Sequence, residues 1–445
     1  SLSVLHIQPP GLMSIKALDL VATPDSHEFL RLSFFAFGSL SVILIVDGLH
    51  VSGLKSRWAS SVGVVYALLP GTVLYTLFPF STAPTIFGCS LAIWGAAVAR
   101  RSLIVGAWSS ACGVFFLYAF RTSFTWVFVF LWLLSLVWLV FHLSQLKRER
   151  VAALSGVALF GVLVVGIQIH YLTSFGLWTT TSWSGENVTK ALAESGHLEV
   201  SSEAIRAADQ ISDCAGSLAR DLAGGNAPSW LPEHVLALSG CGDLKEESTS
   251  GIEALDSPFK DGAYDGRRVG NFNWSQRLAI STLYSQVAVE ILKAEPRQLI
   301  SMAIVGGPSG SRASGLSLYV APSDDYGWVT GIREGYPNKT IGGLLSLLFA
   351  PIALTVAIIG SILAILGREN GRVRGNSAFW FSLGLVGYHM AVSILGEFGE
   401  NNRFQAEVAP ALMFMTGISL WAMLSRDPSP TKKAVNRQDS VIDHQ

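Results

Sequence analysis

Residues 124–150 read FTWVFVFLWLLSLVWLVFHLSQLKRER, and this stretch decides the fold class. Between Phe124 and Leu146 there is no Asp, Glu, Lys or Arg, and then Lys147, Arg148 and Arg150 arrive together. A helix needs roughly 20 apolar residues to cross about 30 Å of hydrocarbon. An apolar run of that length, closed abruptly by basic residues, reads as a transmembrane helix ending at a cytoplasmic surface.

The same reading extends outward to nine spans, near 30–52, 58–78, 82–99, 103–120, 124–146, 151–172, 341–366, 377–396 and 407–424. Composition agrees: half of the chain is hydrophobic, only 14% is charged, and the mean hydropathy is +0.44. Soluble domains carry about 25% charged residues. A net charge of −1 offers no overall field for nucleic acid, so no nucleic-acid partner is expected; membrane lipids are. Lys55 and Arg57, Arg100 and Arg101, Lys147 to Arg150, Arg368, Arg372 and Arg374, and the tail from Arg426 to Arg437 all fall on one side if the spans alternate. The positive-inside rule makes that side cytoplasmic, and the short opposite loops hold little, with Arg121 and Arg403 as the exceptions.

The expected fold is therefore an all-α polytopic membrane protein of about nine transmembrane helices, with an extracytoplasmic α or α+β domain inserted before the last three helices. Residues 1–29 form an outside loop and juxtamembrane helix, 30–172 six spans, 173–340 the outside domain, 341–424 three spans, and 425–445 a polar cytoplasmic tail. The localisation that follows is the plasma membrane.

Within the inserted segment, Ile205, Ala208, Ile211, Leu218 and Leu222 recur at helical spacing, and a second helix is expected from about Trp274 to Ala294, ahead of Pro296. Gln298–Ile304 and Leu316–Val320 look like short strands or buried connections. Cys214 and Cys241 both lie here, and an oxidising compartment would join them; two free thiols is the other reading. Three N-x-S/T triplets begin at Asn187, Asn273 and Asn338, a pattern common enough to arise by chance.

The usual soluble-enzyme signatures are missing: no phosphate-cradling Gly-rich loop with its lysine, no H-E-x-x-H, no C-x-x-C, no G-x-S-x-G. The informative residues are polar groups at the outer face. His6-Ile7-Gln8-Pro9-Pro10-Gly11 places two prolines before a helix running to about Leu20, which by itself also describes a surface loop. Gly399-Glu400-Asn401-Asn402-Arg403-Phe404 opens the last span; Arg403 there can fork a phosphate, held by Glu400 or Glu397, or anchor the helix end by snorkelling. Arg121-Thr122-Ser123 occupies a tight outside turn, where an arginine is also a topological anchor. Asp47 and His50 read as interfacial, and His170 and His389 as hydrogen-bonded packing groups.

These elements, in this order, resemble the GT-C membrane glycosyltransferases, which include protein O-mannosyltransferases and aminoarabinose transferases. His6-x-x-Pro9-Pro10-Gly11, then Glu28-x-x-Arg31-Leu32-Ser33, is similar to the family's juxtamembrane element and the opening of its next span. Ala67-Leu68-Leu69-Pro70, Arg121-Thr122-Ser123 and Gly399-Glu400-Asn401-Asn402-Arg403-Phe404 with Pro410 are similar to later motifs. Asn271-Phe272-Asn273-Trp274, with Ser281, Tyr284 and Pro296, looks like a luminal element of such proteins.

The resemblance implies transfer of a sugar from a polyprenyl-phosphate carrier to a glycan, lipid or protein acceptor outside the membrane. His6, Pro9, Pro10, Arg121, Glu400, Asn402 and Arg403 become the substrate-binding candidates, with Arg403 first and Arg121 second for the phosphate. The resemblance also implies a carboxylate base upstream of the His-Pro-Pro element. None lies between Ser1 and His6, near Pro79-Phe80-Ser81 there is none either, and Asp19, Asp25 and Glu28 are weak substitutes. The expectation is that a leading helix and its acid precede Ser1; an inactive relative is the alternative. No metal ligands or cofactor are identified, although a divalent cation would help the phosphate leave and no acid cluster commits to one. Two other classes stand beside the transferase: a non-enzymatic envelope-assembly or binding protein, and a polymerase or ligase of lipid-linked glycans using outside arginines and histidine.

Overall fold

The computed structural model describes mainly residues 10–23, 28–69, 82–121, 123–176, 199–226, 232–242, 259–261, 268–270, 277–298, 355–363, 375–396 and 401–424, with isolated residues between them. Its helices are α1 (Pro10–Ala22), α2 (Glu28–Val51), α3 (Ser56–Leu68), α4 (Thr82–Val98), α5 (Leu103–Phe120), α6 (Trp126–Leu143) and α7 (Lys147–Phe175). Then come α8 (Ser202–Ile211), α9 (Asp213–Ala223), α10 (Pro232–Leu236), α11 (Arg277–Ala294), α12 (Ser377–Gly396) and α13 (Asn401–Leu424). Two short strands, β1 (Phe259–Asp261) and β2 (Arg268–Gly270), pair antiparallel with Phe259 opposite Gly270.

Five helices among the described residues are long and apolar enough to cross a membrane: α2, α5, α6, α7 and the Glu407–Leu424 part of α13. The chain is an all-α membrane protein in that sense. α4, at 17 residues, is a shorter apolar helix, and α12 covers the expected 377–396. The span expected over 58–78 is a shorter helix. α3 stops at Leu68, and Leu69 turns extended (φ −61°, ψ 129°) because Pro70 follows it. Half of the span expected over 341–366 lies outside the described residues, as do Asn187, Asn273 and Asn338, the asparagines of the N-x-S/T triplets.

α4 is the centre of the bundle. Every face of it is covered, while α2, α6 and α7 each turn large apolar residues outward, among them Phe35, Ile43, Phe130, Trp138, Val162 and Ile169. Against lipid such outward faces carry no penalty; association must come from close packing instead. α4 and α5 supply it with small residues. A Cβ on Gly95 would come 2.4 Å from the Ser110 backbone nitrogen, and one on Gly113 would come 2.3 Å from that of Ala92. The hydroxyl of Ser110 donates to the Ala92 carbonyl at 2.9 Å and accepts from the Trp132 indole at 3.1 Å, so both of these side-chain polar groups are paired.

The basic clusters at the helix ends are built into corners. Arg101 donates to the Val51 carbonyl at 3.2 Å, at the end of α2, and Arg100 donates to the Gly375 carbonyl. α7 begins at Lys147 rather than 151, because Arg150 reaches back to the Ser144 carbonyl (2.9 Å from Nε) and Ser144 donates to Glu149 (2.7 Å).

In the inserted segment, Ser201 and Ser212 cap α8 and α9 by accepting from the Ala204 and Ala215 amides. Ser212 is extended, so the apolar series splits between two helices: Ala208, Leu218 and Leu222 are buried and Ile211 is 41% exposed. α11 starts at Arg277, within the expected helix, and packs Ile280, Tyr284, Val287 and Ile291 on α8 and α9. A disulfide joins Cys214 to Cys241, with Cα atoms 4.7 Å apart. The β1–β2 pair falls outside the expected strand positions; Leu316–Val320 lies outside the described residues.

Gly95→Leu is expected to destabilise the folded protein by about 1–3 kcal/mol, since the new side chain meets backbone. Gly166→Leu, where no atom lies within 4 Å of the added Cβ, should leave the thermal midpoint unchanged in detergent-phase melting.

Candidate functional site

Pro10 opens α1, a position that tolerates its missing N–H and uses its fixed φ. The residue after it sets where α1 docks. A Cβ on Gly11 would lie 2.7 Å from the Ala119 carbonyl and 2.8 Å from the Phe120 ring, so only glycine lets α1 lie this close to the end of α5. Leu12, Leu30, Phe34, Ala83, Ala119 and Phe120 seal that junction. Asp19 then ties α1 to α2: its carboxylate accepts from the Leu30 amide at 2.9 Å and from the Thr23 hydroxyl at 2.8 Å. That acid is buried as a helix cap, which explains its presence without catalysis. Half-burial in α1 pushes the Lys16 ammonium below the usual lysine range.

One residue beyond Phe120 sits Arg121, whose side chain is 6% exposed. Its Nε donates to Glu407 of α13, at 2.9 Å from Oε1 and 3.0 Å from Oε2. Glu407 is itself 0% exposed and its Oε2 lies 3.3 Å from Nε2 of His389 in α12. The tight turn is fixed on both sides. Tyr388 donates to the Ser123 carbonyl at 2.9 Å and accepts from the Thr125 amide at 3.2 Å, while the Phe124 ring packs 5.1 Å from the His389 ring. Arg121, Glu407 and His389 thus form a buried polar group among apolar helices.

The expected phosphate ligand Arg121 has an internal carboxylate partner, so binding an anion there would mean exchanging that partner. Arg403 and Asn402 fall in the first turn of α13, with Arg403 one helical turn ahead of Glu407. His6, Pro9 and Glu400 lie outside the described residues. The structure therefore brings together Pro10, Gly11, Arg121 and the opening of α13 at one end of the bundle. Sequence reasoning missed Glu407, the first residue of the expected 407–424 span, because at a span end a carboxylate reads as interfacial. The usable signal is a lone carboxylate inside a helix whose next two turns are apolar.

Beside this end, α6 and α7 leave an apolar groove of about 400 Å³, lined by Trp126, Phe130, Leu134, Val165, Ile169 and Leu172. It opens sideways: Phe130, Val165 and Ile169 are each more than half exposed. Gln168, which also lines it, accepts from the Tyr118 hydroxyl at 2.9 Å. Among the described residues no group of three His, Cys, Asp or Glu could hold a metal ion.

Removing one partner of a buried ion pair leaves a charge without compensation. Glu407→Gln is expected to destabilise the fold by about 3–5 kcal/mol, and the neutral pair Arg121→Gln/Glu407→Gln by clearly less, read from detergent-phase thermal midpoints. No family model, curated protein or solved structure matches the chain, so its likeness to the GT-C transferases rests on the quoted elements alone.

Proposed function

We propose that the protein is a membrane glycosyltransferase that moves a sugar from a polyprenyl-phosphate carrier to an acceptor on the extracytoplasmic side. The observation that carries this reading is convergence. Pro10 and Gly11 dock on the end of α5, and Arg121 at that end grips α13 one turn beyond Arg403, although these residues are scattered over nearly the whole chain. Alternation of the spans already puts these elements at one face; the Gly11–Ala119 and Arg121–Glu407 contacts add that they meet there. The α6–α7 groove supports the same reading. It starts at Trp126, close in sequence to Arg121, and its walls suit a hydrocarbon chain lying along the bundle. The basic clusters at the other loops support an orientation with this end outside.

The chemistry asked of the site is limited. An acceptor hydroxyl attacks the anomeric carbon, the bond from that carbon to the phosphate oxygen breaks, and the polyprenyl phosphate leaves with the electron pair. A carboxylate takes the hydroxyl proton. The charge that develops on the leaving phosphate needs a preorganised cation, and Arg403 is the assigned group. The carboxylate is left unassigned, since Asp19 is occupied as a cap and Glu407 as a counter-ion.

Arg403→Ala is expected to lower transfer from a polyprenyl-phosphate sugar in membranes on the order of 10²-fold, with Arg403→Lys retaining part of it. Unchanged transfer in the alanine variant would remove the phosphate role.

A further inference from the structure

The buried trio raises a question the transfer reaction does not answer: why a membrane protein keeps a sealed carboxylate between an arginine and a histidine. An ion pair of this kind adds little net stability over apolar residues of the same volume. It does fix geometry, because a fully buried carboxylate with two directional partners has few alternative positions. Here the fixed parts are informative. Glu407 belongs to the turn of α13 that follows Arg403. Arg121 belongs to the turn that follows the Gly11 docking point, and His389 to α12, whose next residue back, Tyr388, bonds the same turn. Side chains on a helix lean toward its N-terminus, so Glu407 reaches toward the end of α13 that carries Arg403. The interaction connects positions 286 residues apart.

We propose that Glu407 is a positioning residue for anion binding: through Arg121 and His389 it sets the depth and rotation of the first turn of α13, and so the place of the cation at Arg403. This rests on the polyprenyl-phosphate reading above. Glu407, fully buried, acts through Arg121 and His389, and its effect is on recognition of the phosphate and not on the hydrocarbon tail, which the α6–α7 groove would hold separately.

The test uses the purified full chain in detergent, with farnesyl phosphate as the anionic probe and farnesol as its uncharged counterpart, binding being read by thermophoresis. Glu407→Asp keeps the charge and shortens the reach, and Arg121→Gln/Glu407→Gln removes both charges without leaving one unpaired. The wild type should prefer the phosphate to the alcohol. Both variants should elute as monodisperse protein, weaken farnesyl phosphate binding at least ~10-fold and leave farnesol binding unchanged. Equal weakening of both probes, or affinity for the phosphate like that of the wild type, would overturn the positioning role alone. A wild-type chain that does not distinguish phosphate from alcohol would remove the polyprenyl-phosphate reading and this inference with it.

Discussion

Hydrocarbon offers a polar group no water to bond, so each one inside the bundle must find its partner within the protein. That constraint organises most of what the structure shows. Ser110 is held between Ala92 and Trp132, Tyr118 is matched to Gln168, and Tyr388 closes the turn after Arg121. The same requirement is most severe for charge, and it is met once in the described transmembrane region by Arg121, Glu407 and His389. Helix α13 is pinned where it is because a carboxylate there has nowhere else to go.

The small residues solve the complementary problem. Apolar side chains gain little by leaving lipid for one another, and close backbone approach replaces burial as the source of affinity. Gly88 and Gly95 on α4 face Gly113 and Gly106 on α5, and the two helices meet backbone to backbone. Around that pair the other helices can be bulky and outward-facing without loss.

The membrane class and much of the helix placement were legible in the sequence, because length and the absence of charge are enough for α5, α6 and α12. α3 was overextended, since an apolar run hides the break that Pro70 imposes on Leu69. The inserted segment announced α11 through its four-residue spacing and Pro296, yet the split at Ser212 depends on a cap that looks like an ordinary polar residue. At the candidate site, the polar character of Arg121 and of the start of α13 was visible. Their pairing was not, because hydropathy records how far a residue sits along a helix and says nothing of which helix it faces. Glu407 and His389 became meaningful only together.

The covered surface of α4 also bears on how the protein is made. A helix with no lipid-facing side, only 17 residues long and followed at once by Arg100 and Arg101, has little to hold it alone in a bilayer. Its natural companion is the next segment to leave the ribosome, α5, which meets it glycine to glycine across a four-residue turn. Packing of this closeness favours entry of the two into the membrane as a hairpin, beside α2, which precedes them in the chain and also packs on α4.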